Sequence, residues 1–112
     1  MGLRWALVAA AGAVASCAYV EATTVNYVGV PRFPAVDSAK VQVLPGEPAQ
    51  RHDRLGEVLL DISVDPAPDV AEIEERLRDE AAKMGANAIY VIRDVARPGE
   101  ARKLIGIAIR YQ

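Results

Sequence analysis

The stretch that decides the fold is DVAEIEERLRDEAAKMGANAI, residues 69–89. Its apolar residues recur at three- and four-residue steps, which predicts a helix with one apolar face. That face consists of Val70, Ile73, Leu77, Ala81 and Met84. Asp69 and Glu72 have the spacing of a capping box, and Gly85 can adopt the left-handed conformation that ends a helix. We therefore predict a helix over residues 70–84 that packs on a sheet.

The segments on either side of this helix have the patterns of strands. Alternating or β-branched residues mark four of them, at residues 40–44, 54–64, 88–95 and 103–111. The helix between the second and third segments favours a right-handed crossover with parallel strands, and the short loop at 97–102 predicts an antiparallel hairpin. The predicted fold is α+β: a two-layer sandwich with one helix on a small mixed sheet, in the order β-β-α-β-β.

Two details of the strands predict which faces are covered. Val58, Leu60, Ile62 and Val64 share one face of their strand. Leu59 interrupts the polar face opposite, so we expect the outer side of the sheet to be partly covered. Gly106 and Ala108 leave one face of the last strand nearly bare, and we interpret that face as a place for another sheet, a subunit or the N-terminal segment.

The start of the chain has the build of an export signal. One arginine precedes the apolar run WALVAAAGAVA at residues 5–15, which is shorter than the roughly 20 residues of a membrane-spanning helix. The next residues complete the sequence Val14-Ala15-Ser16-Cys17, which resembles the lipobox of bacterial lipoproteins. That resemblance implies that residues 1–16 are a lipoprotein signal peptide and that Cys17 is lipidated. The alternatives are a signal cleaved elsewhere, a short uncleaved anchor, or a Cys17 thiol that is simply buried.

Residues 17–39 are predicted as a lipidated N-terminus and flexible tether, ahead of a folded domain at 40–112. The tether shows no helical period and contains Pro31 and Pro34. Its residues 24–30 are rich in β-branched and aromatic side chains, so a short edge strand there remains open.

Composition excludes several classes of function. The chain has 112 residues, 13 of them basic and 15 acidic, which disfavours nucleic-acid binding. Its single cysteine cannot form an internal disulfide or a site with several thiolate ligands. With one histidine as well, most hydrolytic machinery is missing. We therefore expect a protein that is not an enzyme and has no cofactor.

Three motifs resemble the YbjQ/RcsF-type domains. They are LGEV at residues 55–58, EAAKMGANAI at residues 80–89 and, more loosely, the approach from Pro48 to Glu57. The resemblance implies a small α+β domain, and its envelope branch consists of outer-membrane lipoproteins that report stress through protein contacts. Those relatives use internal disulfides, whereas this chain has no cysteine after Cys17. A cytosolic branch is described as metal-binding and ring-forming.

Two groups of side chains are candidates for sites. His52 with Asp53, and with Asp37 or Glu47 nearby, is a weak candidate for a divalent cation, because metal sites need three or four converging ligands. A solvated loop histidine is the expectation we prefer. Basic residues at the tip of the predicted hairpin could contact lipopolysaccharide phosphates or peptidoglycan carboxylates, although charged tips also serve solubility. They are Arg97, Arg102 and Lys103.

Together these features predict a non-enzymatic envelope lipoprotein. Cys17 would hold the membrane, and the α+β domain would bind a protein partner or itself, with a role in envelope sensing. Because Ala18 rather than aspartate follows Cys17, the lipoprotein sorting rule implies the outer membrane, facing the periplasm, in a Gram-negative cell. The alternative function is a small-ligand or metal-binding module of the YbjQ type.

Overall fold

The computed structural model describes residues 17–111, so the predicted signal peptide with Val14, Ala15 and Ser16 lies outside the described residues. The order of elements is β1 (Val20–Asn26), a 3₁₀ turn (Ser38–Lys40), β2 (Gln42–Leu44), β3 (His52–Ile62), α1 (Val70–Lys83), β4 (Ala88–Val95) and β5 (Arg102–Tyr111). The α+β class is confirmed: within the described range, one α-helix packs on a five-stranded mixed sheet.

The strands lie in the order β1-β3-β5-β4-β2. Neighbours are antiparallel except β2 and β4, which pair in parallel. β3 and β4 run in the same direction, as the helical crossover predicted, but they are not neighbours because β5 lies between them and pairs with both. The hairpin of β4 and β5 is confirmed.

The main core lies between α1 and the sheet face that carries Leu60 and Ile62, both almost fully buried. Gly106 and Ala108 lie on this same face. A Cβ at Gly106 would be 2.9 Å from Cδ1 of Ile89 and 3.5 Å from Cδ2 of Leu77, a helix residue. The interpretation of this face as a docking place is therefore wrong, because the small side chains allow the helix and its neighbours to approach the sheet.

The two ends of α1 differ in how they follow the prediction. Gly85 has φ +80° and ends the helix as expected. At the other end Asp69 is the N-cap residue, but its side chain makes no capping hydrogen bond, so the predicted capping box does not form. Val70 is 69% exposed and does not belong to the buried face, and Val64, just beyond β3, is 55% exposed.

The segment predicted as a flexible tether is largely part of the domain. β1 pairs along its whole length with β3, from Val20 opposite Ile62 to Asn26 opposite Gly56. The edge strand therefore exists, but at residues 20–26 rather than 24–30. Its register places the side chains of Val20 and Ala22 against the core, and burial of their apolar surface favours pairing over a free coil.

The chain after β1 is also docked. Phe33 and Val36 pack against the core, and the N–H of Val36 donates to the carbonyl oxygen of Ala82 at 3.0 Å. The Arg110 guanidinium lies 4.4 Å from the centre of the Phe33 ring, a cation–π contact. Residues 33–36 are thus held against the end of α1 instead of spacing the domain from a membrane.

Candidate functional site

His52, the weak metal candidate, is the first residue of β3 and is not solvated as expected. Its side chain is only 9% exposed. Nε2 lies 3.3 Å from Oε1 of Glu47, Nδ1 lies 2.6 Å from the carbonyl oxygen of Gln50, and the ring meets Tyr111 edge to face. Both ring nitrogens are thus engaged, which fixes the preceding loop onto the sheet.

Of the side chains expected near His52, Glu47 lies beside it but also pairs with Arg54, and Asp37 binds backbone elsewhere. Glu47 accepts a hydrogen bond from the Arg54 guanidinium at 2.5 Å, and this bond holds the pKa of the Glu47 carboxyl below its usual value. Asp37 caps the 3₁₀ turn by accepting from the N–H of Ala39 at 3.0 Å. Over residues 17–111, no three histidine, cysteine, aspartate or glutamate side chains are grouped so that they could hold a metal ion.

The outer face of the sheet, opposite α1, carries a groove of about 400 Å³. The apolar side chains of Leu59, Val95 and Ile105 lie along it, with Thr23 of β1 at one side. The arginine side chains of Arg93 and Arg97 belong to the same lining. The sequence offered one signal for this groove, the interruption of the polar face by Leu59. The groove itself could not be predicted, because it forms only where the hairpin loop folds beside the sheet.

Part of the outer face is already closed. Tyr90, Ile107 and Ile109 form a second buried cluster there, with Leu44 and Tyr111 packed against it. Burial raises the pKa of the Tyr90 hydroxyl, with smaller electrostatic effects from Arg54 and Glu47. The outer face is therefore covered at this cluster, whereas Leu59, the residue that led us to expect a covered side, lines the groove left open beside the hairpin.

The basic hairpin residues do not form one positive patch. Arg102 forms a bidentate pair with Asp94, in which Nε donates to Oδ1 at 2.8 Å and Nη2 donates to Oδ2 at 2.7 Å. Lys103 pairs with Asp61. Arg97, in the hairpin loop, has no carboxylate partner within the described part of the chain. Of the three hairpin cations, Arg97 is therefore the one whose guanidinium is not already paired within the described residues.

Cys17 is exposed and close to the sheet. Two residues later, the N–H of Tyr19 donates to Oγ of Ser63 at 2.8 Å, and the N–H of Ser63 donates to the carbonyl oxygen of Tyr19 at 3.1 Å. The Ser63 hydroxyl also donates to the carbonyl oxygen of Pro66 at 2.7 Å. Ladder pairing therefore extends one residue beyond β1, and Ala18 alone separates Cys17 from it. From Cys17 to Tyr111, no helix is both long and apolar enough to cross a bilayer.

Comparison with solved structures shows a likeness of fold. No family model matches the chain, and no curated protein matches its sequence. The chain is similar to the Francisella virulence factor FvfA, solved in an orthorhombic crystal form, with a TM-score of 0.57 and 14% identity. The match covers 80% of this chain and 97% of the FvfA chain. At this identity the likeness shows a shared fold alone.

The pair of Asp94 and Arg102 predicts a pH-dependent stability. The hydrogen bond from Arg102 lowers the pKa of the Asp94 carboxyl, so the pair stabilises the fold above the unfolded pKa of about 3.9 and is lost as the pH falls through the lowered folded value. Because both side chains are partly exposed, we expect Asp94→Asn to cost only about 0.5 kcal/mol at pH 7. Thermal unfolding of both proteins should show this difference shrinking as the pH falls below the unfolded pKa of about 3.9.

The matched control is Glu75→Gln, on an exposed carboxylate with no ion pair in the described structure. It should leave the melting temperature unchanged at both pH values. A melting difference for Asp94→Asn that persists unchanged at low pH would contradict the assignment.

Proposed function

We propose that the chain is a non-enzymatic envelope lipoprotein, anchored through Cys17, whose α+β domain binds a protein partner or a second copy of itself. The observation that carries the anchor is the sequence Val14-Ala15-Ser16-Cys17 at the end of a short apolar run. Its cysteine is the single one in the chain. Several buried acyl chains, each contributing about 0.8 kcal/mol per CH₂, make such attachment effectively permanent.

The exposure of Cys17 supports this proposal, because a modifying enzyme must reach the thiol. The position also fits an anchor mechanically. Tyr19 is held by the sheet two residues after Cys17, so a force on Cys17 passes into β1. The domain would therefore stay close to the surface that holds its anchor.

The outer-face groove supports the binding role. It combines an apolar floor, including Leu59 and Ile105, with the guanidinium groups of Arg93 and Arg97. Such a mixture of apolar and arginine side chains is typical of protein interfaces. β1 borders this face and is the edge of the sheet, so its unpaired backbone groups could also bind an extended strand.

Metal binding remains the weaker alternative. It required His52 to converge with several carboxylates, and although Nε2 lies 3.3 Å from Glu47, Nδ1 lies against the Gln50 carbonyl oxygen. Asp37 lies in a separate turn, where it caps backbone. No observation on residues 17–111 favours this second function.

Lipidation predicts that Cys17→Ser abolishes fatty-acid labelling of the protein in its host or in a bacterium that processes lipoproteins. The substitution removes the sulfur on which the thioether forms, so the precursor should accumulate unlabelled. Labelling with an alkyne-tagged fatty acid and intact mass measure this directly.

The control for this experiment is Ala18→Ser, which changes the adjacent residue and leaves the thiol in place. It should be labelled like the unaltered chain. Normal maturation and labelling of the Cys17→Ser protein would refute the lipobox assignment.

The partner proposal predicts contact at the groove. A photoreactive benzoylphenylalanine at Thr23, which lines the groove from β1, should yield one discrete adduct in membranes, identified by mass spectrometry as a second copy or another envelope protein. The same probe at Val28, which is 99% exposed and outside the groove, should yield none. A lipidated protein that gives no adduct from Thr23, or equal adducts from both positions, would count against the groove as the binding surface.

A further inference from the structure

The point where the chain leaves the sheet toward Cys17 fixes which end of the domain faces the anchor. Tyr19 is held to Ser63 by two backbone-directed hydrogen bonds. Since consecutive Cα atoms are about 3.8 Å apart, the Cα of Cys17 lies within roughly 7.6 Å of that of Tyr19. A bilayer that holds a lipid on Cys17 therefore lies close to this end of the domain.

Three parts of the chain meet at this end, which we name the anchor end. They are the start of β1 with Tyr19, the loop of residues 63–69 with the start of α1, and the hairpin loop at residues 96–101. β3 finishes here because Ile62 pairs with Val20, and β5 begins here because Arg102 pairs with Ile62. The helix start is close as well, since Glu72 and Val20 line the same small cleft.

The anchor end exposes apolar side chains that the sequence pattern assigned to the interior. Val64 continues the alternation of β3 and Val70 begins the apolar face of α1, yet they are 55% and 69% exposed. Tyr19, whose N–H binds Ser63 at this end, is 42% exposed. Across residues 17–111, these are three of the six large hydrophobic side chains with substantial exposure.

The charges at this end do not favour an anionic surface. The loop of residues 63–69 contains Asp65 and Asp69, and Glu72 follows in the first turn of α1. Arg97 is the hairpin cation without a carboxylate partner in the part described, and Glu100 lies in the same loop. A contact formed here would thus depend on apolar burial and on Tyr19, a side chain suited to the membrane interface, rather than on attraction to anionic lipid.

We infer that the anchor end is a membrane-contact surface, in which Tyr19, Val64 and Val70 rest in the interface of the bilayer that holds the lipidated Cys17. This inference rests on the proposed lipidation and adds to it an orientation. The strands then run away from the membrane, so that the end of β1, with Val28 two residues beyond it, lies away from the bilayer. The first and last residues of β1, a strand of seven residues at about 3.3 Å each, are roughly 20 Å apart.

The chain offers a clean optical test of this orientation. Its one tryptophan, Trp5, lies in the predicted signal peptide, so a mature chain beginning at Cys17 contains none. Val64→Trp and Val70→Trp place a single probe at the anchor end, and Val28→Trp places one at the far end on a fully exposed position. Each lipidated protein is reconstituted in phosphatidylcholine vesicles, with and without brominated acyl chains.

Emission from Val64→Trp and Val70→Trp should shift to the blue and fall by roughly half or more with brominated lipid, because the probes enter the interface. Emission from Val28→Trp should not change. Because the anchor end carries mainly acidic side chains, anionic lipid in the vesicles should not increase the blue shift or the quenching. Anchor-end emission that matches Val28→Trp, in protein that floats with the vesicles, overturns the inference. A blue shift without quenching also overturns it, since that indicates a protein contact instead.

Failure of the lipidation itself is recognised separately. In that case the intact mass lacks acyl chains and the protein does not float with the vesicles. That outcome overturns the proposed anchor and, with it, the orientation. Circular dichroism of the three variants checks that each retains the fold, which the exposure of all three positions favours.

Discussion

The pairing of β1 with β3 is the constraint on which the rest of the account depends. It brings the first part of a segment that lacks helical periodicity into the sheet, over the register from Val20–Ile62 to Asn26–Gly56, ahead of Pro31 and Pro34. Gly56 is part of the reason, because a Cβ there would run into the carbonyl oxygen of Val25. The absent side chain lets the two strands and the end of α1 approach one another. The Tyr19–Ser63 hydrogen bonds then extend the pairing to within two residues of Cys17.

This pairing changes what the N-terminal segment does. A flexible coil of the predicted tether's length would let the domain move roughly 25 Å from a membrane and present any face to it. A strand held from Tyr19 onward gives the domain one orientation relative to Cys17 instead. The groove between β1 and the hairpin then lies next to the anchor end, since the hairpin loop with Arg97 belongs to both.

Much of the fold could be predicted from sequence because its signals are local. The stripe from Ile73 to Ala81, the Gly85 cap and the alternation of β3 each depend on neighbours in the chain. Apart from the capping box predicted at Asp69, which is a local error, the errors concern non-local choices. The local sequence does not indicate whether the bare face at Gly106 packs against a helix or a partner. It also does not indicate that Phe33 contacts Arg110.

The candidate sites follow the same rule. Cys17 could be proposed as a lipidation site because the lipobox is a contiguous motif, and the signal residues before it lie outside the described range. The burial of His52 could not be predicted, because it depends on Tyr111 from the last strand. Arg102 and Lys103 looked available for anions, and their partners Asp94 and Asp61 come from other strands. The groove likewise combines residues from β1, β3 and the hairpin.

Residue-resolved amide hydrogen exchange over residues 20–26, in the lipidated protein on phosphatidylcholine vesicles, tests the central claim most directly. β1 is an edge strand, so about half of its amides face β3 and half face outward. The account predicts that the amides facing β3 exchange about a thousandfold more slowly than those of an unstructured peptide. The outward amides should exchange quickly unless a partner strand covers them. If all seven exchange at the unstructured rate while β3 stays protected, the segment is a tether and the account of a fixed anchor is wrong.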